Sequence, residues 1–191
     1  MNTKPKTKAK IMIMGFAGHG KDTLAEQICA KEGYSFSSSS QYVCEHVVYP
    51  ALKDKLRYAS AAECFADRKN HRETWFNLIK DYCAGDEARL IREILSQHDI
   101  CCGIRRREEF LAAKAEGLFD VSVWVDASDR LPPEDQSSCT LTADDADFVV
   151  DNNGPESELY QNFQTATLKA SRVALAELSG RMTQRMLESR S

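Results

Sequence analysis

At 191 residues and 42% hydrophobic content the chain is long enough to bury one real core and too short for two full domains, so it reads as a single domain over 1–191. A formal net charge of −4 supplies no global basic field and argues against a nucleic-acid partner, while no run approaches the length of a membrane span or of a signal-peptide core. The seven cysteines fall without a C-x-x-C pair or neighbouring histidine ligands, which reads as reduced thiols and a cytoplasmic location.

Residues 1–9 hold Lys4, Lys6 and Lys8, with Lys10 just beyond, and read as a flexible basic tail. Ile11 to Met14 are apolar without alternation, as a parallel strand buried on both faces requires, and Leu24, Ala25, Ile28 and Cys29 then recur at helical spacing. Between strand and helix lie Gly15, Phe16, Ala17, Gly18, His19, Gly20, Lys21, Asp22 and Thr23. Four residues separate Gly15 from Gly20-Lys21, the spacing of a phosphate-binding loop. Glycines let successive backbone N–H groups turn inward around an anion, the helix start adds unpaired N–H groups and its dipole, and Lys21 adds an ammonium. The hydroxyl residue that normally follows the lysine and binds Mg²⁺ is here Asp22, with Thr23 next. Either the Asp22 carboxylate or the Thr23 hydroxyl is the expected metal contact. His19 reads as a backbone contributor first, with a chemical role for its imidazole left open.

Gly33 ends the first helix, and Tyr34 to Phe36 reads as a second strand. The serines that follow, Ser37 and Ser38 among them, suit either a helix cap or a polar ligand. Gln41 to Lys55 reads as a helix bent by Pro50, with Val43, Val47, Val48, Ala51 and Leu52 on one face. Ala61 to Gln97 is helical in pattern and interrupted at Gly85. On its first half Arg68, His71, Arg72 and Trp75 are spaced three and four apart, which puts them on one face of a helix from Asp67 to Tyr82, and a cationic stripe with a tryptophan suits a phosphate and a stacked base.

Asp99 to Gly103 reads as a third strand that delivers Arg105, Arg106 and Arg107 at its carboxyl end, where open parallel sheets bind ligands. Glu108 to Gly117 follows as a helix and Val121 to Asp126 as a fourth strand. Residues 128–145 form a polar loop or lid whose sole cation is Arg130. Phe148 to Val150 is a fifth strand, Asp151 to Gly154 a turn, and Pro155 the start of a final helix over 155–190. Strands alternating with helices predict an α/β three-layer sandwich on a parallel sheet.

Four stretches together carry a resemblance: Gly-Lys-Asp-Thr at 20–23, Gly-Ile-Arg at 103–105 followed by Glu-Glu-Phe, Val-Trp-Val-Asp at 123–126, and Asp-Phe-Val-Val-Asp-Asn-Asn-Gly at 147–154. With them the chain resembles the P-loop nucleoside monophosphate kinases, and among these the phage deoxynucleoside monophosphate kinases. The resemblance implies a five-stranded sheet ordered 2-3-1-4-5, ATP as co-substrate with Mg²⁺, and transfer of the γ-phosphoryl group to a nucleoside 5′-monophosphate in a cytoplasm, the host's if the chain is phage-encoded. Carried onto this sequence, it gives catalytic roles to Lys21, Arg105 and Arg130. Residues 15–23 with Asn153 and Gly154 hold ATP, and Asp22 and Thr23 hold the metal. The acceptor falls to Ser37, Ser38, Arg68, His71, Arg72, Trp75, Arg105 and Arg106, with a helical acceptor-binding insertion at about 40–98. The expected partners are small nucleotides, without nucleic acid or membrane, and a homodimer is left open. The lid departs from the pattern of many such kinases in having one arginine. A kinase of the same fold acting on dephospho-coenzyme A or phosphomevalonate, a nucleotide-driven switch, and a binding module without catalysis remain alternatives.

Overall fold

In the computed structural model five parallel strands form one sheet ordered β2-β3-β1-β4-β5, from β1 (Ile11–Met14), β2 (Phe36–Ser38), β3 (Ile100–Cys102), β4 (Val121–Asp126) and β5 (Phe148–Asp151). The structure describes residues 8–134 and 138–188, with side chains up to residue 173. The expected tail residues Lys4 and Lys6 and the end of the expected final helix at residues 189 and 190 lie outside the described residues. Strand β1 is central, pairing with β3 through Met12 and Cys101 and with β4 through Met12 and Ser122. Both of its faces are therefore covered, which is why Ile11, Met12, Ile13 and Met14 can all be buried and apolar.

One face packs α1 (Lys21–Glu32) and the start of α8 (Leu159–Glu188), joining Leu24, Ile28, Leu159 and Phe163 to Ile11, Ile13, Val123 and Val150. The other face packs a helical layer of α2 (Ser39–Val43), α3 (Tyr49–Leu56), α4 (Ala61–Ala66), α5 (Arg72–Tyr82), α6 (Arg89–Gln97) and α7 (Arg107–Ala115) over Met12, Met14, Cys101 and Trp124. This is the three-layer α/β/α sandwich, with the strand order, that the sequence led us to expect.

Several boundaries differ from those expected, each for a local reason. The second strand runs Phe36–Ser38 rather than Tyr34 to Phe36, because it pairs in register with Ile100, Cys101 and Cys102. The stretch expected as one helix bent by Pro50 instead passes through a π-helical turn at Cys44–Val48, where the Tyr49 N–H reaches the Cys44 carbonyl. Pro50 lies in the first turn of α3, so its missing N–H falls next to a place where the regular ladder is already interrupted. Ala51, expected on the apolar face, is exposed. Pro155 caps a 3-10 turn at Glu156–Glu158, and α8 begins only at Leu159. Asp67–His71 is also a 3-10 segment, so the cationic stripe is divided between two helix types. No helix among the described residues is long and apolar enough to cross a membrane. All seven cysteines are free, six of them buried.

Candidate phosphate-binding site

The turn from β1 into α1 is held in shape by the two strands on its far side. Gly15 has φ 144° and Gly20 φ 91°, conformations that L side chains rarely adopt. Space is equally restrictive: a Cβ on Gly15 would lie 2.5 Å from the Val125 carbonyl oxygen, and one on Gly20 would lie 2.3 Å from Asn152 Nδ2. The loop thus runs in contact with the exits of β4 and β5. Two hydrogen bonds fasten it there. The Ala127 N–H donates to His19 Nδ1 at 3.0 Å, and Asn152 Nδ2 donates to the His19 carbonyl at 2.9 Å.

His19 is completely buried, and burial lowers its imidazole pKa below the usual range. Because Nδ1 accepts, the neutral ring carries its proton on Nε2, which finds no hydrogen-bond partner among the described residues. The imidazole braces the loop against β4 and packs edge-on against Phe16 at a centroid distance of 5.4 Å. Phe16 makes a second edge-on contact, at 5.1 Å, with Trp124.

Lys21 opens α1 and is only 9% exposed. Burial lowers its pKa from the ordinary value, and its Nζ donates to the Phe16 carbonyl at 2.7 Å. The ammonium thus folds back onto the loop that surrounds it, a position from which it can turn toward an anion. Asp22 is exposed, and its Oδ1 accepts the Cys102 thiol at 3.2 Å, which fixes the carboxylate beside the end of β3. Thr23 is half-buried in the same turn. Among the described residues no three histidine, cysteine, aspartate or glutamate side chains gather as a metal site. A hard cation here would take one or two oxygens from Asp22 and Thr23 and the rest from phosphate and water, the usual habit of Mg²⁺, so the residues fit.

The three arginines after β3 separate clearly. Arg105 turns toward the loop, and its Nη1 donates to Glu134 Oε1 at 2.6 Å. Glu134 Oε2 in turn accepts the Ala17 N–H at 2.7 Å. Arg106 is drawn to the helical side, 3.3 Å from Glu87 and 3.7 Å from Glu109. Arg107 pairs with the buried Asp145 at 2.8 Å and anchors the end of the lid. Arg130, at the start of the lid, donates from Nε at 2.9 Å to the Asn152 carbonyl, tying the lid to the turn after β5. In that turn Asn153 Oδ1 accepts the Asp129 N–H at 2.9 Å and Gly154 is exposed. A cleft of about 420 Å³ opens between Phe16, Pro133, Glu134, Cys139 and Leu141, within the size range of small-ligand pockets.

Other expected site residues are committed elsewhere. Ser38 caps α2 by accepting the Gln41 N–H at 3.2 Å, and the Ser37 hydroxyl donates to the Ser38 carbonyl. Ser39 reaches the loop's surroundings instead, donating to the Gly103 carbonyl at 3.0 Å. Arg68 lies over the Phe65 ring at 4.1 Å, and His71 pairs with Asp67 at 3.0 Å. The expectation that Trp75 offers a flat surface to a base is corrected. It is 6% exposed within the helical layer, edge-on to Phe65 at 6.2 Å, because it faces the neighbouring helices while Arg72 faces water. The exposed aromatic on α5 is its neighbour Phe76, at 62%. Glu134 and Asn152 join the site without having been among the expected site residues, although Asn152 lies in the stretch at 147–154.

No family model matches the chain, and no curated protein does. Solved structures with a distant likeness include a gluconokinase from Sinorhizobium meliloti 1021, 15% identical over 90% of this chain and 97% of that one, with TM-score 0.44. Shikimate kinase from Aquifex aeolicus vf5 is 16% identical over 86% of this chain and 98% of that one, with TM-score 0.48. Mycobacterium tuberculosis APS kinase is 14% identical over 84% and 97%, with TM-score 0.39. At these scores the likeness bears no weight, and the functional reading rests on the loop and its neighbours.

Proposed function

We propose that the chain is an ATP-dependent kinase that transfers the γ-phosphoryl group to a nucleoside 5′-monophosphate, with a deoxynucleotide as the expected acceptor. One observation supports this above the rest: a glycine-shaped loop and an arginine that follows β3 meet at one carboxylate, Glu134, which bridges the Ala17 N–H and Arg105. A loop alone serves any nucleotide-binding protein. A loop that shares one anion, here the Glu134 carboxylate, with a facing arginine suits a reaction between two phosphates.

Phosphoryl transfer asks little covalent chemistry of a protein. An oxygen of the acceptor phosphate forms a bond to the γ-phosphorus while the bond to the ADP oxygen breaks, and catalysis is positioning with neutralisation of charge. Here the loop N–H groups and Lys21 receive the donor phosphates, and Arg105 receives the acceptor phosphate. Asp22 and Thr23 would hold Mg²⁺, which when bound would supply neutralisation of the donor's charge. Arg130, engaged with the Asn152 carbonyl, acts by keeping the lid against the β5 turn.

The test is ADP production from ATP measured across the deoxy- and ribonucleoside monophosphates, with dephospho-coenzyme A and phosphomevalonate beside them. Turnover that depends on a monophosphate supports the proposal. Turnover with one of the other acceptors moves the chain to another kinase class, and acceptor-independent ADP release makes it a nucleotide-driven switch.

A further inference from the structure

Glu134 follows Pro132 and Pro133, and its carboxylate lies across the mouth of the loop. Oε2 accepts the Ala17 N–H at 2.7 Å and Oε1 accepts Arg105 Nη1 at 2.6 Å. These are the two kinds of donor, loop amide and guanidinium, that bind phosphate oxygens most readily. Burial pushes the Glu134 carboxyl up, yet Arg105, the Ala17 N–H and the charge of Lys21 outweigh it and leave the group below the ordinary glutamate range, ionised at neutral pH. Lys21 meanwhile rests on the Phe16 carbonyl. The loop therefore already contains an anion, and the anion belongs to the chain.

We propose that Glu134 is an internal surrogate for a substrate phosphate: it occupies the oxyanion position between the Ala17 N–H and Arg105, and an incoming phosphoryl group enters by displacing it. This rests on the reading of the loop as a phosphate site and adds a charge-selective step to it. A ligand carrying one negative charge gains little by exchanging with a carboxylate. A phosphate dianion gains more from the same donors and repels Glu134 once bound, so the segment from Pro132 to Glu134 moves off the loop as the substrate arrives. Apparent affinity is reduced by the fraction of molecules in which Glu134 holds the site.

Isothermal titration of the full chain and its Glu134→Gln variant tests this with three probes: inorganic phosphate, a deoxynucleoside monophosphate, and a non-hydrolysable ATP analogue compared with ADP. The amide keeps the shape and removes the charge. The expected result is about tenfold tighter binding of at least one phosphate probe by Glu134→Gln, the scale of a charge-assisted pair no longer in competition. A gain for the ATP analogue and not for ADP assigns the position to the γ-phosphate, whereas a gain for inorganic phosphate and the monophosphate assigns it to the acceptor. Adding Arg105→Gln to the variant should abolish the gain, since the shared partner is then lost, and a melting curve on each protein confirms that it is folded. Unchanged or weaker binding of every probe by a folded Glu134→Gln overturns displacement while leaving the phosphate-site reading in place if the wild type binds. Failure of both proteins to bind the ATP analogue overturns both.

Discussion

The loop edge of the sheet and the helical layer beneath it treat polar groups in opposite ways. In the helical layer most charged groups are matched with one another, the buried Trp75 Nε1 being left without a hydrogen-bond partner among the described residues. Glu93 accepts the Tyr42 and Tyr82 hydroxyls and pairs with Arg89 at 3.0 Å, and Arg92 is held at 2.7 Å by both Asp86 and Glu116. At the loop edge the partners are provisional. Lys21 rests on a carbonyl of its own loop, Glu134 crosses from the lid to fill the mouth, and His19 Nε2 is buried with no partner among the described residues. Matched networks hold helices in place, whereas groups with exchangeable partners are free to serve a ligand.

The comparison is most exposed at Trp75, where sequence and structure disagree. If the helical layer is structural at this point, Trp75→Ala should cost about 3–5 kcal/mol of stability, as expected for a buried large aromatic, and leave the relative use of acceptors unchanged. Thermal unfolding and the acceptor series on the same variant measure both. An unchanged melting temperature with an altered acceptor profile would move Trp75 to the site.

Lys21→Ala should do the reverse. Activity should fall by about 10² or more, the scale of losing one group that stabilises charge in the transition state. Stability should hold or rise, since the variant removes a buried ammonium whose pKa is depressed by desolvation. Near wild-type turnover would break the assignment of the loop.

Glu109 offers a pH-dependent test on the helical side. It is buried near Arg106 and Glu87, and burial chiefly raises its carboxyl from 4.5 to about 7. The folded chain therefore holds this proton more tightly than the unfolded one. The stability it contributes is fully present below about pH 4.5 and is lost as pH rises through about 7, by up to about 3 kcal/mol. Glu109→Gln should gain stability relative to wild type at about pH 8 and show little difference near pH 4.5. A gap between the two melting curves that stays constant over this range would contradict the shift.

What could be read from the sequence follows the range of the interactions. The unbroken apolar run of β1, the glycines of the loop and the helical spacing of α1 are local signals, and β4 ends at the residues expected. The π-helical turn at Cys44–Val48 was not legible, since it depends on how this segment packs against α4 and α5, which lie later in the chain. The face of α5 was misread because the 3-10 segment at Asp67–His71 turns Arg68 and His71 out of step with the helix that follows, and because packing against neighbouring helices, which spacing does not show, decides that Trp75 lies inside. Glu134 and Asn152 reach the loop from 117 and 133 residues away; no motif marked Glu134, and in the 147–154 stretch the neighbours Asn153 and Gly154 were singled out instead of Asn152. That Arg105, and neither Arg106 nor Arg107, faces the loop likewise depends on where Glu87, Glu109 and Asp145 lie in space.

Phosphorus NMR of the products shows whether this edge of the sheet joins two phosphates. With ATP, Mg²⁺ and a mixture of nucleoside monophosphates, loss of the γ-phosphate resonance should be matched by a nucleoside diphosphate other than ADP, with little inorganic phosphate, and Lys21→Ala should form it much more slowly. Inorganic phosphate as the main product, or an ATP spectrum unchanged after prolonged incubation with every acceptor, would contradict phosphoryl transfer to a monophosphate.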